Sequence, residues 1–263
     1  MPFSQTNSIR YYGFDLFDSN AITHAVFTRQ GGLSPEPWSS LNVGASAMVL
    51  DDHQRVRNNR ILAFEALKRD PASMYDVWQV HSADVICAGA PRPSDAPHIK
   101  ADAILTDNPE VTLFMRFADC VPILLHDPVR RVVGIVHAGW QGTVKMTISA
   151  TIEAMVERYL CKPKHILAGI GPSIAAHHYQ VGTEVVAKVR QSFGESADDL
   201  LPEQNGAVQF DLWRANRLLL EQAGVHEVQV SGLCTACDTE DWFSHRAEKG
   251  QTGRFGVLIA LNG

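Results

Sequence analysis

Three residues of the sequence could together hold a metal ion: His81, Cys120 and His137. Each closes an apolar, strand-like run, and side chains at strand ends are well placed to assemble a site. One thiolate and two imidazole rings are ligands suited to zinc, and three protein ligands leave a fourth position for water or substrate, as in catalytic zinc sites. The intervals of 39 and 17 positions contain no short chelating pair. The spacing alone therefore also fits a buried cysteine and two hydrogen-bonded histidines.

Two glycine turns could bind an anion. Gly139 and Gly142 flank a predicted tight turn into a helix, and the N–H groups and dipole at a helix N-terminus attract phosphate. Arg29 precedes a second turn, Gly31-Gly32, where its guanidinium could hold phosphate or carboxylate through two hydrogen bonds. An ordinary glycine-rich loop and a surface arginine also explain these patterns, so both interpretations stay open.

A rival set of metal ligands lies near the C-terminus, where Cys234-Thr-Ala-Cys237 is followed by His245. A structural zinc site normally closes with four ligands, and this group lacks a fourth nearby. A redox dithiol is also disfavoured, because the cysteine pair does not open a helix in a thioredoxin-like context. The five cysteines of the chain are an odd number spread over its length, which makes a poor disulfide framework.

Composition excludes several classes of protein. Of the 263 residues, 45% are hydrophobic and 20% charged, which excludes a disordered chain. The 23 basic and 29 acidic residues give a formal net charge of −6, which argues against nucleic acid as a partner. No apolar run approaches the roughly 20 residues that span a bilayer, so no membrane partner is expected. The first residues lack the basic and apolar regions of a signal peptide, and we expect a cytoplasmic protein.

The elements that must position these residues alternate along the chain without a repeat, which predicts one domain over residues 1–263. Strands are predicted at 21–28, 74–81, 111–120, 131–137, 167–172 and 254–261, helices at 51–69, 142–160 and 211–223, and a proline-rich loop at 90–98. The last helix has Asp211 as its N-cap and Gly224 just beyond its end. Strict βαβ alternation is missing, which favours a mixed-sheet α+β or layered α/β sandwich over a doubly wound parallel sheet.

Eight motifs, in this order, make the chain resemble the YfiH family, also called the laccase-domain or multi-copper polyphenol oxidoreductase family. They are FTRQGGLS at 27–34, SLNVG at 40–44, QVH at 79–81, ADA at 101–103, ADCVP at 118–122, HAGW at 137–140, GIGP at 169–172 and DWFS at 241–244. The resemblance implies an α+β (mixed α/β) fold, a single-domain α-β-β-α layered sandwich with mixed sheets. It also implies that zinc is held by His81, Cys120 and His137.

The resemblance further implies activity on purine nucleosides, because some members are described as purine nucleoside phosphorylases. Such members cleave adenosine, inosine and 5′-methylthioadenosine with phosphate and deaminate adenosine to inosine. Other members are described as oxidising phenols with copper or as editing peptidoglycan precursors. Several coppers would need many paired histidines, and only His177-His178 is a close pair here, so zinc is favoured over copper.

Two positions depart from the usual pattern of the family. The arginine that commonly follows His-Ala-Gly-Trp is Gln141 here, and the usual Tyr-Arg-Arg after Phe-Ser is His245-Arg246-Ala247. If either arginine position contacts phosphate, two cationic donors have been lost. The remaining candidates for a phosphate contact are Arg29, Arg246, Lys145 and the helix N-terminus after Gly139.

The leading interpretation is a zinc-dependent purine nucleoside enzyme whose partners are a nucleoside and phosphate. Asn42 and Gln79 are candidates for hydrogen bonds to the sugar or base, and Asp119 either shuttles a proton or orients a metal-ligating histidine. One alternative is a metal-free cysteine hydrolase with Cys120 as nucleophile, which would suit peptidoglycan editing. Another is a non-catalytic nucleotide-binding module. The oligomeric state is left open, with a monomer as the expectation.

Overall fold

The structure, a computed structural model, describes residues 2–44 and 51–263. In these ranges the strands are β1 (Phe3–Thr6), β2 (Ile9–Tyr12), β3 (Ile22–Phe27), β4 (Met74–Tyr75), β5 (Val85–Cys87), β6 (Ala103–Thr106), β7 (Thr112–Phe117), β8 (Val121–Asp127), β9 (Val132–Ala138), β10 (Leu167–Ile170), β11 (Glu203–Gln204), β12 (Ala207–Val208), β13 (Glu227–Val230) and β14 (Phe255–Leu261). The α-helices are α1 (His53–Ala66), α2 (Trp140–Val144), α3 (Thr147–Tyr159), α4 (Thr183–Phe193), α5 (Ala197–Leu200) and α6 (Leu212–Gln222). Within the same ranges, no helix has the length and apolar character needed to cross a membrane.

Twelve of these strands form two six-stranded mixed sheets. The first sheet has the order β1-β2-β3-β14-β7-β4 and the second the order β13-β10-β8-β9-β6-β5. One edge pair of the first sheet, β4 with β7, is parallel, and so are the two edge pairs of the second sheet, β5 with β6 and β10 with β13. The remaining pairs of the two sheets are antiparallel. Strands β11 and β12 form a separate two-stranded hairpin.

The two sheets face each other, and helices cover their outer faces. Side chains alternate along β9, so Val133 and Ile135 join the core between the sheets, while Val132 and Val136 pack towards the helices. Helix α1 covers the first sheet, and α3 and α6 cover the second. These layers confirm the predicted α-β-β-α sandwich. On β9 the same alternation points His137 into the space between the sheets, on the side of Val133 and Ile135.

The predicted strand at 74–81 is wrong beyond its first two residues. Strand β4 ends at Tyr75, and His81 lies in an irregular segment with a left-handed backbone, φ 58°. The prediction at 111–120 also runs too far, because β7 ends at Phe117 and Asp119 turns the chain with φ 79°. Cys120 therefore occupies the turn between β7 and β8, where the direction of a side chain is not set by the alternation along a strand.

The single helix predicted at 142–160 is two helices, α2 and α3. Met146 adopts a left-handed conformation, φ 62°, which ends α2 and starts a new direction at Thr147. The Thr147 hydroxyl lies 2.8 Å from the carbonyl oxygens of both Gly142 and Ser82, which fixes the break against the segment that carries His81. The helix at 211–223 is confirmed as α6, capped by the Asp211 carboxylate and followed by Gly224 with φ 86°.

Candidate functional site

The structure brings His81, Cys120 and His137 together, although they come from three different segments. One potential ligand atom from each residue lies within 4.8 Å of the other two. Cys120 Sγ is 3.9 Å from His81 Nε2, and the centroids of the two imidazole rings are 4.9 Å apart. His137 is the next-to-last residue of β9, whereas the other two residues occupy turns. The convergence follows from sheet pairing and loop contacts, which the sequence intervals do not reveal.

The pairing of β8 with β9 explains why the cysteine meets Gly139. Val121 is registered opposite Ala138, so the residues that extend the two strands, Cys120 and Gly139, face each other. A Cβ added to Gly139 would lie 2.7 Å from Cys120 Sγ and 3.2 Å from His81 Cδ2. A residue with any side chain would therefore displace the thiol. Gly139 provides space for the three ligands, and it is also the N-cap of α2, a helix of only five residues.

Asp102 positions both histidines, and sequence reasoning did not assign it this role. One carboxylate oxygen lies 2.8 Å from His137 Nδ1, and the other accepts hydrogen bonds from the main-chain N–H groups of Val80 and Ser82 on either side of His81. The Asp102 main-chain oxygen also accepts the N–H of His137. The only sequence signal was the ADA motif at 101–103. Because Asp102 engages Nδ1, the other nitrogen of His137 is left for a metal ion.

The charges of these residues are tightly linked. Burial alone would raise the pKa of the Cys120 thiol, but the charge and hydrogen bond of His137, with a smaller contribution from His81, lower it to about 6. Burial would lower the pKa of His137, but Cys120 and Asp102 together raise it to about 9. For Asp102, burial is likewise outweighed by His137, and its pKa falls to about 2. These neighbours therefore favour the thiolate form of Cys120, the form that ligates metals and attacks electrophiles.

The donor set fits a metal ion with three protein ligands. One thiolate sulphur and two imidazole nitrogens lie within coordination reach, and Asp102 holds the His137 ring as carboxylates commonly hold zinc-ligating histidines. His81 and Cys120 are partly exposed. A fourth ligand, water or substrate, could thus enter from solvent. This arrangement can bind and polarise an oxygen atom, or, without metal, present a nucleophilic thiolate.

Arg29 is buried and fully engaged in holding loops together. Its guanidinium donates to the carbonyl oxygens of Ser39 and Thr239, forms a 3.0 Å ion pair with Glu248 and lies over the Phe243 ring. Only 8% of its surface is exposed. The predicted phosphate contact would require these bonds to break, so the structure gives Arg29 a connecting role instead.

Asn42 and Gln79 are also engaged within the protein. The fully buried Asn42 amide donates to the Asp51 carboxylate, and its oxygen accepts the N–H of Arg254. The Gln79 amide donates to the Arg116 carbonyl oxygen in β7 and accepts the Arg116 N–H, which is the pair of bonds that a neighbouring strand would make. Both side chains thus already have hydrogen-bond partners within the protein, and a bond to the sugar or base would have to replace one of them.

Asp119 connects three loops beside Cys120 and, among the described residues, forms no hydrogen bond with His81 or His137. Its carboxylate accepts hydrogen bonds from the hydroxyls of Thr235 and Ser244 and from the N–H of Arg246. The carboxylate that partners the His137 ring is that of Asp102 rather than that of Asp119. Three hydrogen bonds to its carboxylate give Asp119 a connecting role, while proton transfer by this group stays a prediction.

Two exposed cations lie around the site. Lys145 Nζ donates to the His81 carbonyl oxygen. Arg246 lies over the Tyr179 ring at 5.0 Å and donates to the Gln180 carbonyl oxygen. Tyr179 was missed by sequence reasoning, yet it is near enough to the site that, after burial, the Cys120 thiolate is the next cause of its raised pKa. These two cations are better placed than Arg29 to meet an anionic ligand.

The rival metal set is also rearranged. Cys234 and Cys237 do meet a histidine pair, but it is His177 and His178, not the predicted His245. In the described ranges, these four residues and the His81, Cys120 and His137 group are the two clusters of at least three His, Cys, Asp or Glu ligands that could hold a metal.

Comparison with known proteins identifies relatives over almost the whole chain. The family model described as multi-copper polyphenol oxidoreductase laccase matches residues 23–262. A purine nucleoside phosphorylase of Deinococcus radiodurans is 38% identical over 92% of this chain and 90% of its own length. The purine nucleoside phosphorylase YlmD of Bacillus subtilis is 36% identical over 99% of this chain and 97% of its own length.

Solved structures agree with these matches. The crystal structure of YlmD from Geobacillus stearothermophilus superposes with a TM-score of 0.90 at 32% identity, covering 100% of this chain and 99% of that one. The hypothetical protein YfiH of Bacillus licheniformis gives a TM-score of 0.89 at 33% identity, covering 99% of both chains. The likeness therefore extends over the whole layered sandwich.

Proposed function

Since this chain belongs to the multi-copper polyphenol oxidoreductase laccase family, the YfiH family, and its relatives are named purine nucleoside phosphorylases, we propose that it is a zinc-dependent enzyme of purine nucleosides. In this proposal the chain, as one catalytic domain, cleaves adenosine, inosine and 5′-methylthioadenosine with phosphate and also deaminates adenosine. The observation that carries the proposal is the convergence of His81, Cys120 and His137 on one another, with the His137 ring held by the Asp102 carboxylate. A donor set of one sulphur and two nitrogens favours zinc over the hard cations.

The residues of the site have distinct tasks in this proposal. His81, Cys120 and His137 would hold zinc, which when bound supplies a Lewis acid able to polarise an oxygen of water or phosphate. Asp102 keeps the His137 ring oriented through Nδ1 and holds the His81 segment in place. Cys120 offers its thiolate without a large cost in proton removal, because its pKa is already lowered to about 6.

Phosphorolysis breaks the C1′–N9 bond of the nucleoside and joins C1′ to a phosphate oxygen, so a dianion must be held beside the sugar. Lys145 and Arg246 are the exposed cations that flank the site, and we assign the phosphate to them. Arg29, Asn42 and Gln79 then act indirectly, by fixing the loops that surround the site. A purely hydrolytic deamination needs no phosphate and depends less on the two cations.

Product analysis tests the proposal. Zinc-loaded protein is incubated with adenosine, with and without inorganic phosphate, and the products are separated and identified by mass. We expect adenine and ribose 1-phosphate only with phosphate, and inosine under both conditions. Cys120→Ala protein, prepared in the same way, is the control. If neither reaction exceeds that control, the purine proposal is overturned; if only inosine forms, deamination alone stands.

A second candidate is a metal-free cysteine hydrolase that cleaves an amide or ester. The specific observation in its favour is the order Cys120, His137, Asp102, in which a thiolate lies beside an imidazole oriented by a carboxylate. Chelation separates the two candidates. The hydrolase keeps its activity in excess chelator and loses it on alkylation of Cys120 by iodoacetamide. Loss of activity on chelation with recovery on added zinc excludes it.

A further inference from the structure

Four metal-binding side chains that have no part in the site above meet at a second place. His177 and His178 belong to the short 3-10 turn Ala176–His178, and Cys234 and Cys237 to a turn about 60 residues later in the chain. One ligand atom from each residue lies within 4.8 Å of the other three. His178 Nδ1 is 3.6 Å from Cys234 Sγ and 3.5 Å from Cys237 Sγ, and His177 Nε2 is 3.0 Å from Cys237 Sγ.

These distances suit a tetrahedral zinc ion. With Zn–S of about 2.3 Å and Zn–N of about 2.05 Å, a tetrahedron places a nitrogen and a sulphur ligand about 3.6 Å apart. The two distances from His178 Nδ1 already have this value. The distance from His177 Nε2 to Cys237 Sγ needs to open by about half an ångström, which is small for an exposed side chain.

The scaffold around the four ligands is built from main-chain pairing. Ser173 and Cys234 form a parallel bridge, in which the Ser173 N–H donates to Leu233 O and the Thr235 N–H to Ser173 O. The buried Cys234 Sγ also accepts the N–H of Ala175 at 3.3 Å. This hydrogen bond fixes the sulphur against the segment that leads to the two histidines. The pairing thus holds the two turns at the separation that a shared ion requires.

We propose that His177, His178, Cys234 and Cys237 form a structural zinc site. Two imidazoles and two thiolates make a closed set of four ligands, which leaves no coordination position for substrate. This is the observation that separates it from the three-ligand group at Cys120. The ion would join two turns that are otherwise connected through the Ser173–Cys234 bridge and its neighbouring hydrogen bonds.

The position of this second site gives it a role at the first. Thr235 lies within the Cys234–Cys237 turn, and its hydroxyl donates to the Asp119 carboxylate, immediately before Cys120 in the chain. On the other turn, the His178 and Gln180 carbonyl oxygens face the Arg246 guanidinium. Zinc at the second site would therefore hold the loops that carry Asp119 and Arg246. Its loss should loosen the wall of the first site without removing any of its ligands.

Metal stoichiometry is the primary test. Wild-type protein purified under reducing conditions with zinc should contain about two zinc ions per chain, because each cluster takes one. Cys237→Ser and His177→Ala should each lose one ion while keeping the ion at Cys120, and Cys120→Ala should show the converse. The exposed residues Cys87 and His226 provide matched controls, since Cys87→Ser and His226→Ala remove the same side-chain types elsewhere on the surface. Zinc content of about one in wild type, unchanged by Cys237→Ser, overturns the proposal.

Cobalt spectroscopy identifies the ligands of the second ion. Cobalt added to the metal-free Cys120→Ala chain should give the visible bands of a tetrahedral ion and a sulphur-to-cobalt charge-transfer band of two-thiolate strength. In the double variant that carries both Cys120→Ala and Cys237→Ser, this band should weaken to the strength expected for one thiolate. The competing outcome is a disulfide between Cys234 and Cys237. It is detected by counting free thiols in unfolded protein that has been freshly reduced and desalted. If Cys234 and Cys237 reoxidise to a disulfide in the presence of zinc, the site is a redox pair and the zinc assignment is wrong.

Stability gives a readout that is independent of activity. Removing the second ion from Cys120→Ala protein with a chelator should lower the midpoint of thermal unfolding by roughly 5 °C or more, since binding to the folded state alone adds to stability. The three exposed ligands make this ion accessible to the chelator. Cys120→Ala with Cys237→Ser should show no such shift. A second zinc ion could exist whatever reaction the first site catalyses, so failure of the purine assay would leave this result unaffected.

Discussion

His137 Nδ1 lies 2.8 Å from the carboxylate of Asp102, while the second oxygen of that carboxylate holds the N–H groups on both sides of His81. One buried side chain thus positions two of the three residues that could hold a metal ion. In the neutral ring the bond keeps the proton of His137 on Nδ1, which leaves the other nitrogen for a metal ion. The first prediction concerns this relationship.

Asp102→Asn should weaken zinc binding at the Cys120 site by about 10- to 100-fold. The Asn oxygen would serve the N–H groups of Val80 and Ser82, so its NH2 group would face His137 Nδ1 and force the proton onto the nitrogen that binds metal. Competition with a chromophoric chelator measures the affinity. In the metal-free chain the Cys120 pKa should also rise from about 6, because His137 loses its anionic partner.

The exposed Asp84 provides the control for this change, because Asp84→Asn removes a carboxylate from the same region without touching His137. Zinc affinity and the thiol pKa should stay at wild-type values in that variant. Unchanged zinc affinity in Asp102→Asn would mean that Asp102 has no orienting role.

Gly139→Ala should abolish or strongly weaken metal binding at Cys120 while the chain still folds. The new methyl group would meet Cys120 Sγ at 2.7 Å, closer than real carbon–sulphur contacts, so the thiol must move out of position. Gly182→Ala is a close control. Gly182 is also an extended helix N-cap, and a Cβ there meets no atom within 4 Å. Metal content per chain and the thermal midpoint of both variants give the comparison, and normal zinc content in Gly139→Ala would contradict the steric argument.

Local signals in the sequence sufficed for elements that depend on their own residues. The apolar run of β14 and the caps of α6, Asp211 and Gly224, were predicted within a residue or so, because burial and capping act over a few positions. The layered sandwich itself followed from the ordered motifs of the family. No local pattern indicates which strand pairs with which, and hence which side chains share a site.

The missed features all depend on contacts between distant segments. The left-handed turn at His81 is held by Asp102, and the helix break at Met146 by the contact of Thr147 with Ser82. Similarly, the Cys234–Cys237 turn finds its histidines about 60 residues earlier in the chain, whereas proximity in sequence pointed to His245. Tertiary contacts decided each case, and they are invisible to periodicity.

Acid should destabilise the protein partly through His24. Burial, reinforced by His126, lowers the pKa of His24 from 6.5 to about 4, and its Nε2 accepts the N–H of Phe14 in the neutral form. As the pH falls, the unfolded chain binds a proton at His24 before the folded chain does. The contribution of neutral His24 to the free energy of unfolding is therefore complete above pH 6.5 and is lost as the pH falls towards 4. The loss amounts to about 3 kcal/mol.

Urea unfolding at pH 7 and pH 4.5 measures this contribution. His24→Gln keeps a polar acceptor but cannot titrate, so its stability should fall less between the two pH values than that of wild type. His226→Gln, at an exposed position, should follow wild type. Parallel pH profiles for wild type and His24→Gln would show that another group accounts for the acid sensitivity.

Asp119→Asn distinguishes a connecting role from a catalytic one. Asn tolerates the left-handed backbone at this position, φ 79°, so the change tests the carboxylate itself. The Asn oxygen can still accept from the Thr235 and Ser244 hydroxyls, but its NH2 group would face the N–H of Arg246. Two donors opposed in a buried position should cost about 1–3 kcal/mol of folding free energy. Thermal unfolding beside the exposed control Asp95→Asn measures this cost. The pH dependence of adenosine turnover tests the catalytic role. If Asp119 only connects loops, the turnover rate of Asp119→Asn falls but its pH–rate profile keeps its shape. Loss of one limb of that profile would instead identify Asp119 as the group that transfers a proton.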